Sequence, residues 1–220
     1  MDLAALRLSL LLASLTTGVL LVLGLPLAAW ISSARSRWRV VVEAAVALPL
    51  VLPPTVLGFY LLVAFSPRSP LGSAFNAATG RRLAFSFEGL LLASVLYSFP
   101  FAVQPFTAAL GRVDPRLVEA SYTLGESRLR TFFRVRLPLA LPGVVAGAVL
   151  AFAHTLGEFG VVLMVGGNLA GETRTLAISI YDSVEQLDYA TAGHTSLLLL
   201  GVSFAVLVVT YALQRRSLLA

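Results

Sequence analysis

The sequence predicts an all-α, polytopic membrane protein with five transmembrane helices. Of its 220 residues, 58% are hydrophobic and 12% charged, and the mean hydropathy is +0.88. A soluble domain carries about 25% charged residues. Five stretches reach the roughly 20 apolar residues that a bilayer crossing needs. The chain has a net charge of +5, but its basic residues gather in short connecting segments and not along one face. That distribution fits a lipid bilayer as the chain's surroundings and argues against a nucleic-acid partner.

The first span, 8–31, is free of charge, and so are the second, 44–65, and the third, 89–110. A secretory leader would be positive ahead of its apolar core. Here only Arg7 precedes the first run and Arg35, Arg37 and Arg39 follow it. The fourth span, 137–165, is long enough to tilt or break, and its single charge is Glu158. The fifth, 195–213, ends just before Arg215 and Arg216.

Five crossings put the two termini on opposite sides. The connections 32–43 and 111–136, with the C-terminal tail, hold eleven arginines, against five (Arg7, Arg68, Arg81, Arg82 and Arg174) on the other side. The arginine-rich side is predicted to be cytoplasmic, which leaves the N-terminus outside and the C-terminus inside. The outer segment 166–193 places Leu176, Ile180, Val184 and Leu187 on one stripe of a short helix. Such a helix either lies on the bundle at the interface or docks an external partner.

Several chemistries are absent. There is no cysteine, and all sixteen basic residues are arginine. A P-loop needs its lysine, so this chain is not expected to hydrolyse ATP itself. His154 and His194 stand forty residues apart without an HExxH partner, and no metal or other cofactor is expected. An intramembrane protease needs a Ser–His pair or two aspartates in the spans, and the spans contain no Asp. A channel or secondary transporter would be favoured by inverted repeats, and none is visible.

The loop 111–136 is long for a plain connection. Asp114 followed by Pro115 is a helix start: a side-chain cap, then a ring pre-set at helical φ. Leu117, Ala120 and Leu124 form a small apolar face, with Ala120 and Ser121 as a flat patch of small residues. Gly125 is placed to end the helix with a left-handed φ. Ser127 can then cap a second segment that leads to Leu137-Pro138 at the membrane. On its form the loop is either purely structural or a docking element.

The string Glu119-Ala120-Ser121, Gly125, Val135, Leu137-Pro138 resembles the cytoplasmic signature of permeases of binding-protein-dependent ABC importers. That signature reads Glu-Ala-Ala, three residues, Gly, nine residues, an aliphatic, one residue, Leu-Pro. Every spacing is met; Ser121 and Val135 depart from the pattern by small changes in size. The blocks Leu48–Gly58, Ala151–Gly160 and Gly171–Thr175 further resemble molybdate permeases, and the blocks together cover most of the chain up to about Tyr181. Sulfate and tungstate permeases share parts of them, notably Leu156–Gly160. The resemblance implies the permease fold, a homodimer in a prokaryotic inner membrane, two cytoplasmic ATPase subunits and an extracytoplasmic oxyanion-binding protein. It assigns ATPase coupling to Leu117, Glu119, Ala120, Ser121, Leu124, Gly125, Glu126, Leu137 and Pro138, and no catalytic residue. Molybdate is the expected substrate, with sulfate or tungstate as the alternative.

Other marked residues carry two readings each. Pro49, Pro53 and Pro54 remove backbone donors and break the second span. Broken backbone at membrane depth faces protein or a water-filled cavity. The break is therefore either a packing kink or, with Thr55 and Gly58, part of an oxyanion path. Glu158 shares a helix face with His154, which suggests a polar contact to that ring or to an arginine of a second subunit; it is also a candidate path residue. Gln104 and Tyr97 read as packing and interfacial residues. Arg68, Arg81 and Arg82 read as solvated loop charges or as groups that steer an anion or meet a binding protein.

Overall fold

The computed structural model describes residues 2–34 and 36–217, without the side chains of 209 and 213–217. Arg35, and the side chains of Arg215 and Arg216, which entered the charge count, lie outside the described residues. Asp2 opens the first helix, its Oδ1 accepting from Ala5 N at 2.9 Å. Helix α1 then runs over Leu3–Ser33, starting ahead of the apolar run and carrying Arg7 on its second turn. No strand occurs among the described residues.

Among the described residues, four helical stretches are long and apolar enough to cross a membrane: Leu3–Ser33, Phe87–Gly111, Arg128–Gly157 and Tyr189–Ala212. The count reaches five if a bent pair is one span. The expected second span, 44–65, is two helices, α2 (Trp38–Val51) and α3 (Pro54–Phe65), meeting at 108°. Leu52 is extended between them, and Pro53 and Pro54 offer no amide to continue the ladder.

Outside the spans, Ser69 and Pro70 start a helix absent from the sequence expectations, α4 (Pro70–Thr79), with Ser69 Oγ accepting from Gly72 N. Helix α5 (Phe87–Gly111) follows, capped by Ser86. After α6 (Pro115–Thr123) and α7 (Arg128–Thr131), a π turn over Phe132–Arg136 leads directly into α8 (Leu137–Gly157). Leu137 N donates five residues back to Phe132 O, which lets the helix pass Pro138, a residue without an amide.

The expected fourth span, 137–165, also breaks. It stops at Gly157 and restarts as α9 (Gly160–Gly166), with Glu158 extended at the break. Helix α10 (Leu176–Glu185) is the short helix that periodicity predicts in 166–193, but its buried face is Leu176, Ile178 and Ser179, whereas Val184 and Leu187 are exposed. The reason lies in α1: Ser9 Oγ accepts from Leu176 N at 2.8 Å and turns this end of the helix inward. Helix α11 (Tyr189–Ser217) begins six residues before the expected span. Asp188 Oδ1 accepts from Thr191 N at 3.1 Å ahead of it, and hydrogen bonding from Thr191, side chain and backbone, holds this carboxyl below its ordinary range.

The core forms around α5. Phe106 and Val103 are fully buried against α1 and α8. Small residues permit the approach: a Cβ at Gly24 of α1 would stand 3.1 Å from Val103, and Cβ atoms at Gly143 and Gly147 of α8 would stand 2.5 Å from Ala109 Cβ and 2.8 Å from the Phe106 ring. Without a hydrophobic force between helices in lipid, this close backbone packing supplies the attraction.

Candidate functional site

Two features position the residues singled out by sequence: the loop between α5 and α8, and the paired breaks at α3 and α9. In the loop, Asp114 Oδ1 accepts from Arg116 N at 2.9 Å and starts α6 as expected. Gly125 takes φ +83°, and its amide donates to Tyr122 O at 3.0 Å to close the helix. Ser127 Oγ then accepts from Arg130 N and starts α7.

The loop's two sides have different chemistry. Ser121 is buried, and its hydroxyl lies 2.9 Å from that of Thr131, which is fully buried. This bond ties α6 to α7 and contributes about 1 kcal/mol. Ser121 therefore faces the loop's own interior and not an outward flat patch. The outward surface consists of Leu117, Ala120 and Leu124 with Glu119, and Leu124 is 83% exposed. Glu126 holds Arg130 at 3.2 Å and Arg134 at 3.3 Å across the turn. Both arginines are more than half exposed, so these pairs orient the turn more than they stabilise it.

At the membrane end of the loop, Leu137 packs against the core around α5, and Pro138 is exposed. Arg136 donates to Ser32 Oγ and Ser33 Oγ, both at 2.9 Å. The start of α8 is thus fastened to the end of α1. Neither this clamp nor Thr131 was marked by the sequence, because each partner carries no local signal.

The two breaks meet. Helices α3 and α9 each begin at a break and pack side by side. A Cβ at Gly58 would stand 2.7 Å from Met164 Cβ, and one at Gly160 would stand 2.7 Å from Pro54 Cβ. Pro53, Pro54 and Thr55 at the start of α3 are exposed. Of the five path candidates, Pro54 and Gly58 are therefore joined to α9 by packing, and Glu158 opens α9 itself.

Glu158 does not reach His154. Its Oε1 accepts from Val161 N at 3.0 Å and Val162 N at 3.1 Å, capping α9. Its Oε2 is buried without a hydrogen-bond partner among the described residues. His154 instead places Nδ1 3.0 Å from Ser98 Oγ, which also meets Thr155 Oγ1 at 2.8 Å. The imidazole stacks on Phe101 with ring centroids 3.7 Å apart. Gln104, read from the sequence as a packing residue, is exposed and borders two cavities, one of about 400 Å³ between α1, α2 and α5 and one of about 420 Å³ between α2, α5 and α8. Among the described residues, groups of His, Asp and Glu suited to a metal ion are absent.

Residues 21–218 match the family described as "Binding-protein-dependent transport system inner membrane component". The chain belongs to this family. The permease is 50% identical over 97% of its length to the molybdenum transport system permease protein ModB of Azotobacter vinelandii, covering 95% of that protein. It is 39% identical over 77% of its length to ModB of Escherichia coli K12, covering 73% of that protein. A probable sulfate transport system permease protein from Chlorokybus atmophyticus is 35% identical over 76% of the chain and 58% of that protein. Among solved structures, an inward-facing MetNI methionine ABC transporter superposes with a TM-score of 0.77 at 17% identity, over 98% of this chain and 95% of the other. That likeness shows the fold.

Proposed function

We propose that the permease is the transmembrane subunit of an ATP-driven molybdate importer. In this reading the chain forms a single transmembrane domain, pairs with a second copy, and binds two cytoplasmic ATPase subunits that carry all ATP hydrolysis. An extracytoplasmic binding protein delivers the oxyanion. The N-terminus lies outside and the C-terminus in the cytoplasm, as the arginine distribution demands. The observation that carries the reading is the exposed apolar face of Leu117, Ala120 and Leu124 on a helix already capped and braced by its own loop. Molybdate is favoured over sulfate because the ModB relative is 50% identical over nearly the whole chain, against 35% for the sulfate relative.

The coupling residues divide by task. Leu117, Glu119, Ala120 and Leu124 meet the ATPase. Ser121, Gly125 and Glu126 keep the face rigid. Leu137 and Pro138 pass its movement into α8, and the Arg136 clamp passes it to α1. ATP-driven closure of the ATPase pair draws the two α6 helices together and opens the path outward; hydrolysis resets it.

The path itself runs past the exposed Pro53, Pro54 and Thr55, whose helix Gly58 seats on α9, and Gln104 offers an uncharged amide donor in the cavities beside α2. Weak groups suit conduction, since the ion must also leave. Glu158 uses one oxygen to cap α9, which makes it a support of the path wall and not an anion ligand.

Uptake in proteoliposomes containing the permease, its ATPase and its binding protein tests the proposal, with molybdate, tungstate and sulfate in competition. Uptake that requires all three proteins and prefers molybdate is expected. A preference for sulfate or tungstate overturns the substrate alone, and uptake without the ATPase overturns the coupling role of α6.

A further inference from the structure

A cavity of about 880 Å³ lies away from both the coupling loop and the paired breaks. It opens between the first turns of α1, the segment leading into α5 and the turn around Gly171. Arg7, Arg81 and Arg82 line one part of it, and Leu8, Leu11 and Phe87 another. Arg81 is engaged by Glu88 at 3.4 Å. Arg7 and Arg82 have no ion-pair partner among the described residues, and neither has Glu172, which lines the same cavity. The pocket thus presents two uncommitted guanidiniums and one uncommitted carboxylate.

Its depth in the membrane follows from α1. Arg7 and the exposed Trp30 are separated by roughly 35 Å along that helix at about 1.5 Å per residue, close to the roughly 30 Å hydrocarbon thickness. Tryptophans settle at the membrane–water boundary, so Arg7 stands at the opposite headgroup level. Leu8 and Leu11 then lie at the edge of the hydrocarbon. Charged groups at headgroup level and apolar groups beside them match the two ends of one phospholipid.

The backbone supports a built wall. Phe85 adopts φ +59°, a left-handed conformation unusual for a residue with a side chain. It is locked there by its amide donating to Val165 O at 2.9 Å, and its ring, 48% exposed, lines the cavity. Strain of this kind collects at ligand clamps.

We propose that this pocket binds a phospholipid headgroup of the phosphoethanolamine type from the outer leaflet. Arg7 and Arg82 hold the phosphate, Glu172 takes the ammonium, and Leu8, Leu11 and the Phe85 ring flank the start of the acyl chains. Glu172 distinguishes the headgroups: it meets the cationic ammonium of phosphoethanolamine, whereas the glycerol of phosphatidylglycerol offers it only neutral hydroxyl donors.

Native mass spectrometry of the full chain, released from nanodiscs of mixed phosphatidylethanolamine and phosphatidylglycerol, tests this. The expected result is retained phosphatidylethanolamine that is lost in the double variant Arg7→Gln/Arg82→Gln and kept in Arg68→Gln. Glu172→Gln is expected to remove the preference for phosphatidylethanolamine over phosphatidylglycerol. Equal retention by the double variant overturns the site, and an unchanged preference in Glu172→Gln overturns the headgroup assignment. Displacement of the lipid by inorganic phosphate assigns the pocket to a free oxyanion and overturns it too. So does a loss of binding-protein affinity in the double variant with the lipid count unchanged. Should that variant misfold, a headgroup-photoreactive phosphatidylethanolamine on the unmodified chain must label residues 81–88; labelling elsewhere refutes the proposal.

Discussion

Single side chains here act mostly by satisfying backbone groups, and Glu158 shows the size of the effect. It accepts from two buried amides at the start of α9, and each orphaned buried amide costs about 1–3 kcal/mol. Glu158→Ala is expected to lower the thermal midpoint and abolish uptake, while Glu158→Gln, which keeps an acceptor oxygen, retains most of both. Equal losses in the two variants would show that the charge matters and not the cap. Gly125 acts through φ alone, since nothing lies within 4 Å of where its Cβ would be. A left-handed residue with a side chain costs roughly 1–2 kcal/mol, and the β-branched valine is worse placed than most. Gly125→Val is therefore expected to leave the permease in the membrane and the ATPase active, but to disconnect hydrolysis from transport. Parallel assays of phosphate release and uptake check this; normal uptake refutes it.

At the scale of elements, helix approach is set by where methyl groups are missing. Gly143 of α8 faces Ala109 Cβ so closely that an added Cβ would stand 2.5 Å away. Gly143→Ala should destabilise by about 1–3 kcal/mol through overpacking. The exchange Gly143→Ala with Ala109→Gly moves one methyl across the interface and should recover most of the loss, read by thermal unfolding in detergent. No recovery would mean that the backbones and not the methyls set the distance. The same scale explains what the sequence made legible. Asp114-Pro115, Gly125 and Ser127 act within four residues, so the helix–turn–helix form of the loop followed from local chemistry, as did the break at Pro53-Pro54. Glu158 was ambiguous because a carboxylate can reach back to His154 or forward to Val161 and Val162, and only the break in the helix decides. The face of α10 depends on Ser9, and the interior setting of Ser121 on Thr131; distant or unremarkable partners leave no periodic trace.

For the molecule as a whole, the absence of cysteine makes the orientation directly measurable. Ser73→Cys on α4 should react with a membrane-impermeant thiol reagent added outside intact cells, and Arg116→Cys on α6 only after the membrane is opened. The reverse pattern would invert the proposed topology, and with it the side on which the ATPase binds. The interlock of α3 with α9 bears on how such a chain is made. Helix α3 has 12 residues and α9 has 7; at about 1.5 Å per residue neither reaches across a roughly 30 Å hydrocarbon layer. Their contact joins Gly58 to Met164, about a hundred residues later in synthesis. Insertion therefore cannot finish one segment at a time. A nascent chain arrested after residue 111 should leave Leu61→Cys, which shares a buried cluster with Val161 and Val165 of α9, reactive, and one extended past residue 166 should protect it. The membrane-insertion machinery must hold an unfinished half-crossing until its mate leaves the ribosome.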